Sequence, residues 1–318
     1  MTNFNKKKFK TIKRKIRYFF LYYILKFILK TAKYMPECIV YKFCECGALL
    51  FFYSSKKMRE ITLNNLNKAF GEKPDNFNIA KNTFLNIGRN TAEMAMWGKY
   101  NKKKLLQCIS IKGIEHLTNA LEKNKGVMIL TAHCGNWEFV NAYFFARGYT
   151  GKILARRMHD ERIEKLLKEM REFTGSEIID RDSFSRDIFK TLKANGMIGM
   201  LADQDIKNLK SVFVNFFGHP AYTPVSPVMI ALTSGCAVLP TFISRDEKCK
   251  YKHKMIIHPE LEFIKNRKDP EAIIKNTQLW SDCVENHIRK YPDQWVWFHR
   301  RWKTTPEKLK EREKESAE

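Results

Sequence analysis

The sequence has no C-x-x-C pair and no regular cysteine framework: Cys38, Cys44, Cys46, Cys108, Cys134, Cys236, Cys249 and Cys283 are scattered along it. That spacing speaks against a disulfide scaffold and a cysteine zinc site, and for free thiols in a reducing compartment. No metal and no cofactor are called for. Also lacking are an internal repeat, a low-complexity linker, and any helix-turn-helix, zinc-finger or RNP-type motif, so nucleic acid is not the expected partner. At 318 residues the chain can bury a proper core without covalent staples.

Acidic residues are in short supply, 34 against 58 lysines and arginines, which leaves a net charge of +24. Such a surface draws anionic partners: phospholipid head groups, a phosphorylated lipid, an acidic carrier protein or, as a remote alternative that no motif supports, nucleic acid. The basic residues Lys6, Lys7, Lys8, Lys10, Lys13, Arg14, Lys15 and Arg17 crowd ahead of an apolar run from Tyr18 to Leu29. That run is shorter than the roughly 20 residues of a spanning helix and is broken by Lys26. An interfacial helix fits it better. A second stretch, Cys38 to Tyr53, holds Lys42 and Glu45 and is also a poor span. No small-residue cleavage site follows Leu29, so the segment is expected to be a retained anchor on the cytoplasmic face of the cell (inner) membrane, against anionic lipid.

Three regions are expected: a basic membrane-anchoring helical segment over 1–56, an α/β domain over 57–305, and a charged tail over 306–318 forming a solvated or frayed helix. Apolar spacing of three and four residues across 57–100 predicts two helices split between Gly71 and Pro74. From Ile109 short apolar runs alternate with helical stretches. Gly126 to Thr131, Gly151 to Leu154, Met197 to Ala202, Cys236 to Ile243 and Lys254 to His258 read as strands. Phe139 to Arg147, Glu161 to Thr174, Ser183 to Asn195 and Val225 to Ser234 read as helices. The alternation predicts an α/β fold with a central, largely parallel sheet flanked by helices.

The sharpest feature follows the first of these strands: A-H-C-G-N-W-E, residues 132–138. Strand ends are where α/β sheets place their sites. Five residues of regular helix turn through about 500°, so His133 and Glu138 can meet only if the chain bends between them. Gly135 permits the bend and Asn136 is a reasonable N-cap. Glu138 would then orient the ring and steady its charged form, leaving the other nitrogen to take a proton from a substrate hydroxyl. An isolated H-x4-E is more often a satisfied core histidine at a strand end, and the rest of the chain decides between them.

Five blocks, in order, resemble the late acyltransferases of lipid A biosynthesis, within the lysophospholipid acyltransferase superfamily. They are R-E-I-T-L-N-N-L-N-K-A-F-G-E (59–72); A-H-C-G-N-W-E, close to the family's G-H-F-G-N-W-E and departing at Ala132 and Cys134; A-R-R-M-H-D-E-R with the later Arg171; G-M-L-A-D-Q-D (199–205) followed by V-F-V-N-F-F-G-H-P-A-Y-T; and P-D-Q-W-V-W-F-H-R-R-W-K (292–303). The likeness runs from about Met58 to Pro306. It implies a lipid A precursor as acceptor and an acylated acyl carrier protein as donor. Transfer to another glycolipid or a lysophospholipid, with a coenzyme A donor, stays open; glycerolipid members of the superfamily usually carry aspartate where Glu138 stands, which disfavours them.

Arginine's planar fork suits phosphate, so Arg156, Arg171, Arg300 and Arg301 are candidates to hold phosphates of acceptor or donor. Asp203, which the resemblance favours over Asp205, could pair with Arg171 and aim it. Backbone amides near Gly135 and the following helix N-terminus could steady an oxyanion. Trp295, Trp297, Phe298 and Trp302 read as core before membrane platform. His299 and the thiol of Cys134 carry little catalytic weight.

Overall fold

A computed structural model describes residues 18–20, 22–155, 158, 160–173, 175, 177–180, 186–206 and 209–317. Helices occupy 22–32 (α1), Glu37–Ser54 (α2), Lys56–Phe70 (α3) and Asn76–Ala95 (α4). The break between α3 and α4 falls at the expected place, where Gly71 takes φ 78° and ends α3. Strand and helix then alternate through Lys102–Cys108 (α5), Ile109–Lys112 (β1), Ile114–Glu122 (α6), Val127–Thr131 (β2), Glu138–Ala146 (α7), Gly151–Ala155 (β3), Glu161–Phe173 (α8), Glu177–Asp180 (β4), Arg186–Lys193 (α9) and Met197–Leu201 (β5). A hairpin of Ser211–Phe216 (β6) and His219–Pro224 (β7) interrupts the alternation. Ser226–Ser234 (α10), Ala237–Arg245 (β8), His253–Ile257 (β9), Pro270–Lys290 (α11) and Pro306–Ala317 (α12) complete it.

All five expected strands form. So do the expected helices, although Thr174 and Ser183, at the ends of two of them, lie outside the described residues. The strands β1 (I-S-I-K) and β4 (E-I-I-D) were not anticipated. Each is four residues with two apolar side chains, too little to stand out from a loop.

Seven strands make one sheet in the order β1-β9-β8-β2-β5-β3-β4. Neighbours run parallel except β8 and β9. The two central strands are buried at nearly every position because helices cover both faces. Alternation along β2 then splits the core: Met128 and Leu130 join the side holding α9, α10 and α11, whereas Val127 and Ile129 join the side holding α5, α6 and α7. From β2 the chain crosses to β3, beyond β5; from β5 it returns to β8, beyond β2. The carboxyl ends of β2 and β5 are therefore the switch point of the sheet, where open α/β folds leave a crevice.

The basic cluster from Lys6 to Arg17 lies outside the described residues. Next to it, α1 and α2 leave Tyr23, Phe27, Phe43 and Leu50 well exposed. Among the described residues no single helix is long and apolar enough to cross a membrane; α2 and α3 pass that test only as a pair, bent by 87°. The inner side of α2 is fastened to the body, since Tyr41 is fully buried and donates a hydrogen bond to Glu93 of α4 at 2.7 Å.

Candidate active site

Sheet register builds the centre of the site. Thr131 pairs with Leu201 at the ends of β2 and β5, and two residues beyond each stand His133 and Asp203. Asp203 Oδ1 lies 2.7 Å from His133 Nδ1, while Oδ2 accepts from the His133 amide at 3.0 Å and from the Trp295 indole at 2.8 Å. Burial alone would raise the Asp203 carboxyl, but His133 and these hydrogen bonds hold it well below the usual carboxylate range. A carboxylate can only accept, so the His133 proton sits on Nδ1 and the lone pair on Nε2. Among the described residues Nε2 has no hydrogen-bond partner, and the ring is one-quarter exposed.

The expected partners are exchanged. Glu138 was expected on His133 and Asp203 on Arg171; instead Arg171 of α8 grips Glu138 through both oxygens, at 3.0 and 2.7 Å. Asp203 reaches the imidazole by strand register and needs no bend, whereas Glu138 opens α7 and falls beside α8. All four side chains remain together: His133, Glu138 and Arg171 line one cavity of about 420 Å³, with Asp203 sealed behind the ring.

The bend at Gly135 forms, with φ 52°, and an added Cβ there would lie 2.3 Å from the Ile243 carbonyl. The Gly135 amide is taken by the Gln294 carbonyl at 2.8 Å, so it is not available to an oxyanion. Asn136 does not cap α7. The cap position is Trp137, with no side-chain bond, and the Asn136 amide group is drawn inward to Glu93 Oε2 at 2.7 Å because that buried carboxylate is the stronger acceptor.

Behind the loop lies a closed network. Glu93 also binds Arg245 through Nη2 at 2.9 Å and His253 Nε2 at 2.9 Å. Arg245 Nη2 donates to Asn90 at 2.7 Å, and Asn90 donates to the Gly135 carbonyl at 2.6 Å. Burial would raise the Glu93 carboxyl, but His253 and Arg245 keep it ionised. The loop is thus fixed from the rear by residues of α4, β8 and β9 and faces the cavity at the front.

A histidine with a free lone pair, backed by a buried carboxylate at a sheet switch point and flanked by a clamped arginine, suits proton removal from a hydroxyl near an anionic group. Comparison with known proteins agrees with that chemistry: residues 6–304 match the model of the bacterial lipid A biosynthesis acyltransferases. The chain belongs to that family. It is 27% identical over 224 residues to the phosphatidylinositol mannoside acyltransferase of Mycobacterium tuberculosis (strain CDC 1551 / Oshkosh), covering 68% of this chain and 67% of that one. It is 25% identical over 279 residues to the lipid A biosynthesis lauroyltransferase of Escherichia coli K12 (86% and 88%), and 25% identical over 232 residues to the palmitoleoyltransferase of the same strain (72% of each).

As an acyltransferase, the chain uses the remaining expected residues unequally. Arg300 is exposed. Arg301 is not a surface phosphate clamp: it is 1% exposed, donates to the Tyr222 carbonyl at 2.8 Å and packs over Phe216, tying the last loop to the β6–β7 hairpin. The hairpin, invisible to a helical or strand count, supplies the acceptors that draw it inward. Arg156 lies outside the described residues. Cys134 is buried, and desolvation together with Asp203 holds its thiol protonated, consistent with no nucleophilic role. Trp295, Trp297 and Trp302 are core, as expected.

Trp295 also contributes something sequence reasoning missed, because its indole N–H fixes Asp203. His299, given little catalytic weight from the sequence, lines the cavity with His133.

Proposed function

We propose that the protein moves a fatty acyl chain from an acyl thioester, carried first by acyl carrier protein, to a hydroxyl of a lipid A precursor at the cytoplasmic face of the inner membrane. The single observation that carries this reading is the His133–Asp203 pair at the β2–β5 switch point, with Nε2 unpartnered beside an open cavity. His133 Nε2 takes the hydroxyl proton, the oxygen attacks the thioester carbonyl, and a tetrahedral oxyanion forms. On collapse the C–S bond breaks, the ester C–O bond remains, and the imidazolium returns its proton to the departing thiolate. Asp203 orients the ring and stabilises its charged form. The positive end of the α7 dipole, whose first residue Glu138 lines the cavity, favours the oxyanion.

Two further features support a lipid substrate. An apolar cavity of about 510 Å³, lined by Phe189, Val225, Met229 and Ile230, shares Leu154, Met200, Leu209 and Ser226 with the polar one, which suits an acyl chain whose thioester sits by His133. The exposed aromatic and aliphatic side chains of α1 and α2 suit a bilayer surface. Arg171 is the arginine best placed for a phosphate, held in aim by Glu138.

The test is an assay of purified protein in mixed micelles with acyl–acyl carrier protein or acyl-coenzyme A, against a lipid A precursor or a mannosylated phosphatidylinositol. Ester formation on the lipid A precursor, faster with the carrier protein and abolished by His133→Ala, is expected. Transfer only to the other glycolipid would replace the acceptor. Transfer undiminished in His133→Ala would remove the mechanism.

A further inference from the structure

His133 is not the only imidazole facing the cavity, and the second is held in the opposite polarity. His299 Nε2 accepts a hydrogen bond from the Asp205 amide at 3.2 Å. An amide can only donate, so Nε2 carries the lone pair and the proton of the neutral ring is on Nδ1. Burial, with Arg301 and His133 adding to it and Asp203 opposing, pushes the His299 pKa down to about 4, so the ring is neutral at pH 7. Among the described residues Nδ1 has no hydrogen-bond partner, and it is not sealed in the interior.

The ring is held firmly. The Asp205 carboxylate that sets the position of this amide is locked by Thr304, through its amide at 2.7 Å and its hydroxyl at 3.2 Å. The His299 carbonyl accepts from Asn65 at 2.7 Å and from the Arg301 amide at 2.9 Å. A fixed, neutral N–H donor in a polar cavity is what a developing oxyanion requires. Part of the loop backbone is already committed, the amides of His133, Cys134 and Gly135 to Asp203, Ala132 and Gln294, which leaves room for a side-chain donor.

We propose that His299 is a second catalytic histidine, donating a hydrogen bond from Nδ1 to the thioester carbonyl oxygen as it becomes an oxyanion. This rests on the acyl-transfer reading above. The two rings then divide the work: one imidazole accepts a proton through Nε2, and the other offers one through Nδ1 without releasing it.

The experiment compares wild type, His299→Phe and His299→Gln with dodecanoyl–acyl carrier protein and purified lipid A precursor, following kcat and KM for each, with the melting temperature of every variant. Phe keeps a planar ring and removes the donor; Gln restores a side-chain N–H and an oxygen able to accept from Asp205. For Phe, kcat is expected to fall about 10²–10³-fold with both KM values little changed. Gln is expected to recover roughly a tenth or more of wild-type kcat. A Phe variant with near wild-type kcat, a loss confined to KM or accounted for by unfolding, or a Gln variant no better than Phe would overturn the assignment. An inactive wild type would overturn the acyl-transfer reading itself, so the two failures are told apart by the first assay.

Discussion

The loop from His133 to Glu138 has two sides made of the same kinds of residue. In front, a histidine, two carboxylates and an arginine meet at a cavity: His133 with Asp203, Glu138 with Arg171. Behind, another histidine, carboxylate and arginine, namely His253, Glu93 and Arg245, are 0%, 0% and 3% exposed in their side chains. In front, one imidazole nitrogen faces a cavity that the arginine pair also lines. Behind, the charges are spent on one another and on the loop backbone. Residue type therefore says little about which cluster reacts, and access says most.

The two sides should fail differently when altered. Glu93→Ala leaves Arg245 charged and buried without its carboxylate, which is expected to cost about 3–5 kcal/mol of stability. Chemical denaturation would read this, and a variant of normal stability that had lost only turnover would erase the distinction between the two sides. In front, Arg171→Ala is expected to spare the fold and raise KM for the phosphorylated substrate roughly tenfold, about 1.4 kcal/mol. A KM unchanged for both substrates would remove Arg171 from the binding surface.

The smallest expected effect is in pH dependence, and it belongs to neither side of the loop. His287 stacks on Phe242 with ring centroids 4.6 Å apart, and burial, with His258 and Lys290 adding to it, lowers its pKa to about 3. Its ordinary value is about 6.5. The unfolded chain therefore binds the extra proton first as pH drops below that value. The contribution of His287 to stability is complete above pH 6.5 and is lost as pH falls toward 3, by at most about 1.4 kcal/mol per unit. His287→Phe should flatten the stability profile over that window, and an unaltered slope would place the acid sensitivity elsewhere, His299 being the next candidate.

Much of the fold was legible because its signals are local. The five apolar runs became strands, and Gly71 and Pro74 marked the break between α3 and α4. The bend of the 133–138 loop was legible for the same reason, through a glycine that must adopt φ 52°. What escaped is non-local. That β5 lies beside β2, although two strands and three helices separate them in sequence, is a property of topology, and it alone brings Asp203 to His133. Counting five residues from histidine to glutamate found a plausible partner along the chain and overlooked the one across the sheet. The burial of Arg301 escaped for a like reason, since its partners Tyr222 and Thr223 stand on a hairpin almost 80 residues away. His299 was discounted because its neighbourhood was crowded; the crowding is what fixes its tautomer.

The central claim is that the carboxylate across the sheet, and not the one along the chain, orients the reactive imidazole. Steady-state turnover of Asp203→Asn beside Glu138→Gln, each with its melting temperature, tests it most directly. The account predicts that Asp203→Asn lowers kcat about 10³–10⁴-fold with little change in KM, as expected when the ring loses the acceptor that fixes its tautomer. Glu138→Gln should lose far less kcat and show its main effect in KM, through Arg171. The reverse pattern, with Asp203→Asn turning over normally and Glu138→Gln inactive, would contradict it.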